Sequence, residues 1–369
     1  MAESPADGAP AAPATELSAR PRTLRLARVQ GAALGLAGAA AGQVRREGLL
    51  VVLGDDDGFA GQGEASPLPG YSHDSIEECA RQLAAIDLDG LPGPEGRPAE
   101  EWVESALGAA RLTAPAARFA LETALLDWLG QRRGLGVAVL LGGPGAAQRR
   151  VPISALVADV AAARAAHARG IRAFKLKISP ATFEDDLRLA SALRAAFGDE
   201  VSLRFDANGR LDPTAAMAQL QRLAALAPEF VEEPVAGDAL MRMHASPVPL
   251  AADESLSVPG TWPALADVCR VVVLKPTLLG GLCACLRLAR DATRRGLGFT
   301  VTHTFDGPVA LAAAAELAVA LPARPLACGL DRHAGLAVWP AVRIPQLHDA
   351  HVSSAGRPGL GLGELSLRT

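Results

Sequence analysis

Three lysines stand out by their scarcity. Lys and Arg together number 36, and only Lys175, Lys177 and Lys275 are lysine, which leaves 33 Arg. The chain is rich in Ala, Gly and Pro, a bias typical of a GC-rich genome, and such a bias favours Arg over Lys on the surface. The two cations differ in one chemical respect: an ammonium can lose its proton at working pH and a guanidinium cannot. Lys175 and Lys177 lie two apart in "FKLKIS", so on a strand they share one face. Lys275 stands in "VVLKPT". Lysine kept at these places points to proton transfer.

Acids occur in a matching pattern. "VSLRFDA" ends near Asp206, with Asn208 just after it; "EFVEEPV" carries Glu232 and Glu233; "VPLAADE" ends in Asp253 and Glu254. Each charge closes a short apolar run, and a charge inside a buried strand is costly. Taken singly, each reads as an ordinary surface acid. At the same place on three successive runs, Asp206, Glu232 and Asp253 converge on one point. Three such carboxylates repel unless a cation lies between them. Oxygen-only ligands with room for water and substrate suit Mg²⁺, with Mn²⁺ as a substitute. A metal beside a substrate carboxylate, with a lysine base, fits removal of the proton α to that carboxylate, the metal stabilising the enediolate.

The elements that would position these groups follow from the apolar rhythm after about residue 150. Short runs recur at 151–157, 173–178, 201–207, 229–235, 248–254, 271–277, 298–304 and 324–330, with helical patterns between them such as "TFEDDLRLASALRAAF". Eight strands alternating with helices predict a parallel (β/α) barrel, whose active site lies at the C-terminal strand ends. Lys275 then faces Lys175 and Lys177 across the barrel mouth. No G-x-G-x-x-G follows the first run, which disfavours a dinucleotide-binding sheet. Before the barrel, short strands over 22–65 surround a "GDDDG" turn, and helical patterns fill 74–142. Asp74, with Glu77 three residues later, is the expected cap of the first helix. We therefore expect a disordered tail over 1–21, an α+β capping domain over 22–145 joined by the C-terminal segment 345–369, and the barrel over 146–344.

Composition excludes other classes. The chain is 50% hydrophobic and carries a net charge of −4 with no basic run, so nucleic-acid binding has no electrostatic support. No apolar run reaches the length of a membrane helix, and the first residues lack the pattern of a signal peptide. Five scattered cysteines read as reduced thiols of a cytoplasmic protein, not as a disulfide framework. A homo-oligomer remains open.

The motifs "KLK", "FDANG", "VEEPV", "ADES" and "LKPT", in this order through the barrel, resemble the enolase superfamily, muconate-lactonizing subgroup. That resemblance implies a modified TIM-type (β/α)7β barrel with an α+β cap. It implies Asp206, Glu232 and Asp253 as Mg²⁺ ligands, Lys177 as the proton-abstracting base with Lys175 in support, and Lys275 as the cation or acid on the opposite face. Asn208, Thr302, His303 and Gly329 are its supporting or substrate-contacting positions, and the substrate is a small carboxylate. Within the subgroup, "GQGEASPLPGYSHDSIEE" (61–78), "ARFALETALLDWL", "THTFDGPVALAAAAELA" and "ACGLD" look most like the o-succinylbenzoate synthases of menaquinone biosynthesis, which are hydro-lyases. The cap loops at 31–42 and 61–72 are then expected to close over the mouth. Leu211 replaces the aromatic that many relatives carry. His303 lacks the carboxylate that would orient it as a base, since Lys275 occupies that place. No D-x-D pair marks the eighth strand, which lowers an epimerase reading. Racemisation of N-acylamino acids by Lys177 and Lys275, muconate cycloisomerisation, and a barrel that binds metal without turnover remain the alternatives.

Overall fold

The computed structural model describes residues 20–35, 43–94, 96–339 and 342–363. The described residues begin with an antiparallel sheet of β1 (Thr23–Gly35), β2 (Gln43–Gly54) and β3 (Ala60–Ala65), in that order. The turn between β2 and β3 uses Asp55, whose Oδ1 accepts from the amides of Asp57 at 3.0 Å and Phe59 at 2.9 Å; a short Asp side chain closes such a turn well. Four helices follow: α1 (Ile76–Ala84), α2 (Ala99–Ala110), α3 (Pro115–Arg133) and α4 (Val137–Gly142). The cap of α1 is Ser75, not Asp74: the Ser75 hydroxyl accepts from the Glu78 amide at 3.2 Å. Asp74 instead accepts from the Ala116 amide at 2.7 Å, in the first turn of α3. Helix α3 is buried on nearly every side, and β3 lies directly on it. Glycine makes that approach feasible: a Cβ on Gly61 would stand 2.0 Å from the Ala124 carbonyl oxygen, and one on Gly63 would stand 1.9 Å from that of Ala120.

The barrel elements alternate as the apolar rhythm predicts. They are β4 (Arg150–Pro152), β5 (Ala155–Leu156), α5 (Val160–Ala168), β6 (Ala173–Lys177), α6 (Phe183–Phe197), β7 (Ser202–Asp206), α7 (Ala216–Ala224), β8 (Phe230–Glu232), α8 (Asp238–Met241), β9 (Leu250–Ala252), α9 (Trp262–Val268), β10 (Val271–Leu274), α10 (Pro276–Leu279), α11 (Leu282–Arg294), β11 (Gly298–Val301), α12 (Pro308–Ala320) and β12 (His351–Ser353). Strands β5 to β11 form one parallel sheet in sequence order. Two runs differ from expectation. The run over 151–157 divides: β4 pairs antiparallel with β12, and only β5 joins the barrel sheet. The run over 324–330 makes no ladder of its own. It closes the ring through single parallel bridges, Ile153 to Cys328 and Thr302 to Gly329. The Cys328 amide donates to Pro152 at 2.8 Å and the Gly329 amide to Val301 at 2.9 Å, so both neighbours are engaged. Pro325, which has no amide hydrogen, shortens what this run can pair. The result is a modified TIM-type (β/α)7β barrel beside an α+β cap.

Inside the barrel, Phe230, Ala251, Val271 and Val273 form an apolar plug with Leu326 against it. The Arg204 guanidinium lies 4.8 Å from the Phe230 ring centre and bonds Glu229 at 2.6 Å and the Ala327 carbonyl. The floor beneath the mouth is therefore filled, and the mouth is the open end. All five cysteines are buried free thiols. Among the described residues, no helix is long and apolar enough to cross a membrane.

Buried acids on β3 and α3 reach partners far along the chain. Glu64 accepts from the amides of Gly307 (2.6 Å), Val309 (3.1 Å) and Ala310 (3.2 Å), at the N-terminus of α12. Glu122 accepts from Leu282 and Cys283, at the N-terminus of α11. Asp127 accepts from Gln62 at 2.8 Å and Leu360 at 2.7 Å. Carboxylates at helix N-termini satisfy amides that have no partner within the helix. Burial pushes the carboxyls of Glu64 and Glu122 up to about 7 and that of Asp127 up to about 6, against the hydrogen bonds that pull them down. Between the unfolded value near ~4 and these folded values, the native state holds protons the unfolded chain has lost. Their stabilising contribution is therefore complete below that window and is lost as pH rises through 6 to 7. We expect the urea midpoint to fall between pH 5 and pH 8, and the Glu122→Gln variant to show a shallower fall; an equal slope in the two proteins would remove Glu122 from this account.

Candidate active site

The barrel register brings the charged residues to one end. Lys177 pairs with Asp206 across β6 and β7, and Asp206 with Glu232 across β7 and β8. Asp253 follows directly on β9 and Lys275 directly on β10. Each strand contributes its last inward-facing side chain to a single layer above the apolar plug.

Ion pairs knit that layer together. The Lys175 Nζ lies 2.7 Å from Asp206 Oδ2 and 2.8 Å from both oxygens of Glu232. The Lys177 Nζ donates to Asp206 Oδ2 at 2.6 Å and to Asn208 Oδ1 at 2.8 Å. Lys275 donates to Asp253 and lies 4.0 Å from Glu232. Burial works against the Lys175 and Lys275 ammonium charges, but Asp206 and Glu232 for the first, and Asp253, Glu254 and Glu232 for the second, outweigh it and raise both pKa values. Burial likewise works against the charge on Asp206, and Lys175, Lys177 and Lys275 overcome it and hold the carboxyl well below its usual range. Asp253 is raised, first by burial and then by Glu254 beside it.

The structure thus gathers Lys175, Lys177, Lys275, Asp206, Glu232, Asp253 and Asn208. Thr302 sits at the end of β11, its amide donating to the Leu274 carbonyl at 3.0 Å beside Lys275, and its hydroxyl is buried without a hydrogen-bond partner. Gly329 bridges to Thr302 from the other side, and a Cβ there would meet the Thr302 methyl at 2.8 Å. His303 has both ring nitrogens engaged. Its Nδ1 accepts from the Phe305 amide at 2.9 Å, which leaves Nε2 to donate to the Asp331 carbonyl at 3.1 Å. Its ring packs 4.7 Å from that of His333. Both contacts are to backbone groups of neighbouring loops.

Three further residues of the site were given no role by the sequence. Glu233, in the left-handed region at φ 39°, accepts from the amides of Asp253 (2.9 Å) and Ser255 (3.2 Å) and from the Ser255 hydroxyl. It thereby fixes the backbone that carries Asp253, and burial pushes its carboxyl up to about 7. Glu254 accepts from the Asn208 amide group at 2.8 Å. Tyr71, the only tyrosine in the chain, reaches from the loop after β3 and donates to Asp253 at 3.1 Å. Its uniqueness was a signal of the same kind as the scarcity of lysine.

The donor set suits a hard divalent cation. Asp206, Glu232 and Asp253 supply oxygens alone, and Asp253 Oδ1 and Glu254 Oε2 are buried with no hydrogen-bond partner, a condition a cation relieves. Ligand-type atoms of Glu104, Glu122 and Cys283 also lie within 4.8 Å of one another. That group holds helix ends instead: Glu122 is spent on the amides of α11 and Glu104 pairs with Arg287.

Comparison with known proteins agrees with this geometry. Residues 158–363 match the family described as enolase C-terminal domain-like. The chain belongs to the enolase superfamily. It is 30% identical to an o-succinylbenzoate synthase of Desulfotalea psychrophila over 71% of this chain and 80% of that protein. It is also 30% identical to muconate cycloisomerase 1 of Pseudomonas putida over 85% of this chain and 87% of that one. The crystal structure of muconate lactonizing enzyme from Pseudomonas fluorescens, complexed with muconolactone, superposes with a TM-score of 0.80 at 26% identity, covering 94% of this chain and 97% of that one. The superfamily couples lysine or histidine bases with Mg²⁺. Equal identity to a synthase and a cycloisomerase places the chain in the muconate-lactonizing subgroup, among isomerase- and lyase-type enzymes. Asp253→Asn is expected to weaken Mg²⁺ binding at least about tenfold by calorimetric titration, and an unchanged titration would strike Asp253 from the ligand set.

Proposed function

We propose that the protein is an o-succinylbenzoate synthase, which dehydrates 2-succinyl-6-hydroxy-2,4-cyclohexadiene-1-carboxylate. The observation that carries this reading is the inequality of the two facing lysines. Both are held by carboxylates, Lys177 by Asp206 and Lys275 by Asp253, but the Lys177 side chain is 24% exposed at the mouth and that of Lys275 only 9%. One accessible base and one fixed cation suit an elimination in which a single lysine both takes and returns a proton. Racemisation of N-acylamino acids asks for an accessible base on each face, and the more enclosed Lys275 disfavours it.

In the reaction, neutral Lys177 removes the proton from the ring carbon that bears the carboxylate, leaving an enediolate. The bond from the neighbouring carbon to its hydroxyl then breaks. The Lys177 ammonium returns the proton to the departing hydroxyl, releasing water and an aromatic ring. Lys275 faces the ring as a fixed positive charge, and Lys175 holds Asp206 and Glu232 in place beneath it. Asp206, Glu232 and Asp253 would hold a divalent cation, which would supply positive charge to the developing enediolate. Aromatisation drives the elimination, so little further acid–base apparatus is required. The reading includes a cytoplasmic location and a small-molecule carboxylate as substrate.

Lys177→Arg keeps the charge and removes the base. It is expected to cut turnover of the diene carboxylate by about 10²–10⁴-fold while the circular dichroism spectrum stays that of the parent. A variant retaining most of its rate would overturn the assignment of Lys177.

A further inference from the structure

The segment after β3 runs over the barrel mouth and is pinned along its length. At its start the Ser66 hydroxyl donates to Glu64 at 2.6 Å, and Glu64 is locked onto the α12 N-terminus. In its middle a tight turn forms, with the Tyr71 and Ser72 amides donating to the Leu68 carbonyl at 3.0 and 2.8 Å and the Leu68 amide donating to the Ser72 hydroxyl at 2.8 Å. At its end His73 Nε2 lies 2.9 Å from the Ser257 hydroxyl, in the turn that follows Asp253. A strap held at both ends presents the side chain between them in one place, and that side chain is Tyr71.

The Tyr71 hydroxyl meets two members of the charged layer at once. It accepts from the Lys275 ammonium and donates to Asp253 Oδ2 at 3.1 Å. The ammonium also lies 4.9 Å from the centre of the Tyr71 ring, beyond its hydroxyl. Lys275 follows β10 on a flexible four-carbon stem, and an ammonium on such a stem has several rotamers of similar energy. Asp253 alone fixes one direction for it. Adding the phenol above fixes a second.

We propose that Tyr71 is a positioning residue for Lys275: the cap, through one phenol, sets where the fixed cation of the barrel stands against the substrate. Cap and barrel therefore share one catalytic constellation, and a strap that is displaced leaves Lys275 misplaced. This rests on the proposed function insofar as Lys275 acts on the substrate ring; the contact itself stands on geometry alone.

The three lysines make the test direct. Protein labelled with 13Cε-lysine has three lysine signals, and the one missing from Lys275→Arg belongs to Lys275. In Tyr71→Phe, which keeps the ring and drops the hydroxyl, the Lys275 signal is expected to move while those of Lys175 and Lys177 hold. Tyr71→Leu, which drops the ring as well, is expected to move it further. With Mg²⁺ and the diene carboxylate, kcat of Tyr71→Phe is expected to fall about 100-fold, the order of loss a misplaced reacting group produces, with KM little changed. A stationary Lys275 signal overturns the proposal, and so does a rise in KM at unchanged kcat, which would make Tyr71 a wall of the substrate pocket. Should the parent protein fail to turn over the diene carboxylate, the proposed function falls, and the lysine signals still decide whether Tyr71 holds Lys275.

Discussion

Charge neutralisation at the mouth of the barrel governs the rest of this structure. Asp206, Glu232 and Asp253 are buried to within a few per cent of complete enclosure, and an unpaired buried carboxylate costs several kcal/mol as an order of magnitude. They are tolerable only because Lys175, Lys177 and Lys275 stand among them, or because a divalent cation does. The strand register makes that mutual arrangement obligatory. A slip of one residue on any of β6, β7 or β8 would turn its charged side chains outward into the helices. The same groups that threaten the fold if misplaced are those the proposed reaction uses.

A layer of this kind needs a rigid frame, and the frame is built from both ends. Below it the plug around Phe230 and the Arg204 guanidinium fill the barrel. Above it, Glu64 and Glu122 fasten the cap to the N-termini of α12 and α11, so that the strap carrying Tyr71 starts from a fixed point. Glu233 performs the corresponding task within the barrel by binding the backbone around Asp253. Acids buried away from the reacting groups thus act through backbone amides, and they decide where the reacting groups stand.

Much of this was legible in the sequence, for identifiable reasons. A bias toward Arg turned three lysines into a signal, and a charge at the end of an apolar run is conspicuous because buried strands exclude it. The C-terminal strand ends of β6 to β10 were therefore readable as a site. The closing run over 324–330 was readable as the eighth run, but its reduction to two single bridges was not, because apolar alternation does not report how much ladder a run makes. Ser75 displaced Asp74 as the cap of α1 because Asp74 had a better use at the amide of Ala116, a contact remote in sequence. Glu64 and Glu122 look like ordinary polar positions until the helices they cap are packed on them. The cap segment 36–42, the tail over 1–19 and residues 364–369 lie outside the described residues.

The central claim is that this layer of charge performs a metal-dependent elimination. The most direct measurement is ultraviolet detection of o-succinylbenzoate formed by the unaltered protein from its hydroxycyclohexadiene precursor, with Mg²⁺ and then with a chelator. The account predicts rapid appearance of the aromatic product with the metal, and its cessation with the chelator. Product formation that continues undiminished with the chelator, or no product in either condition, would contradict it.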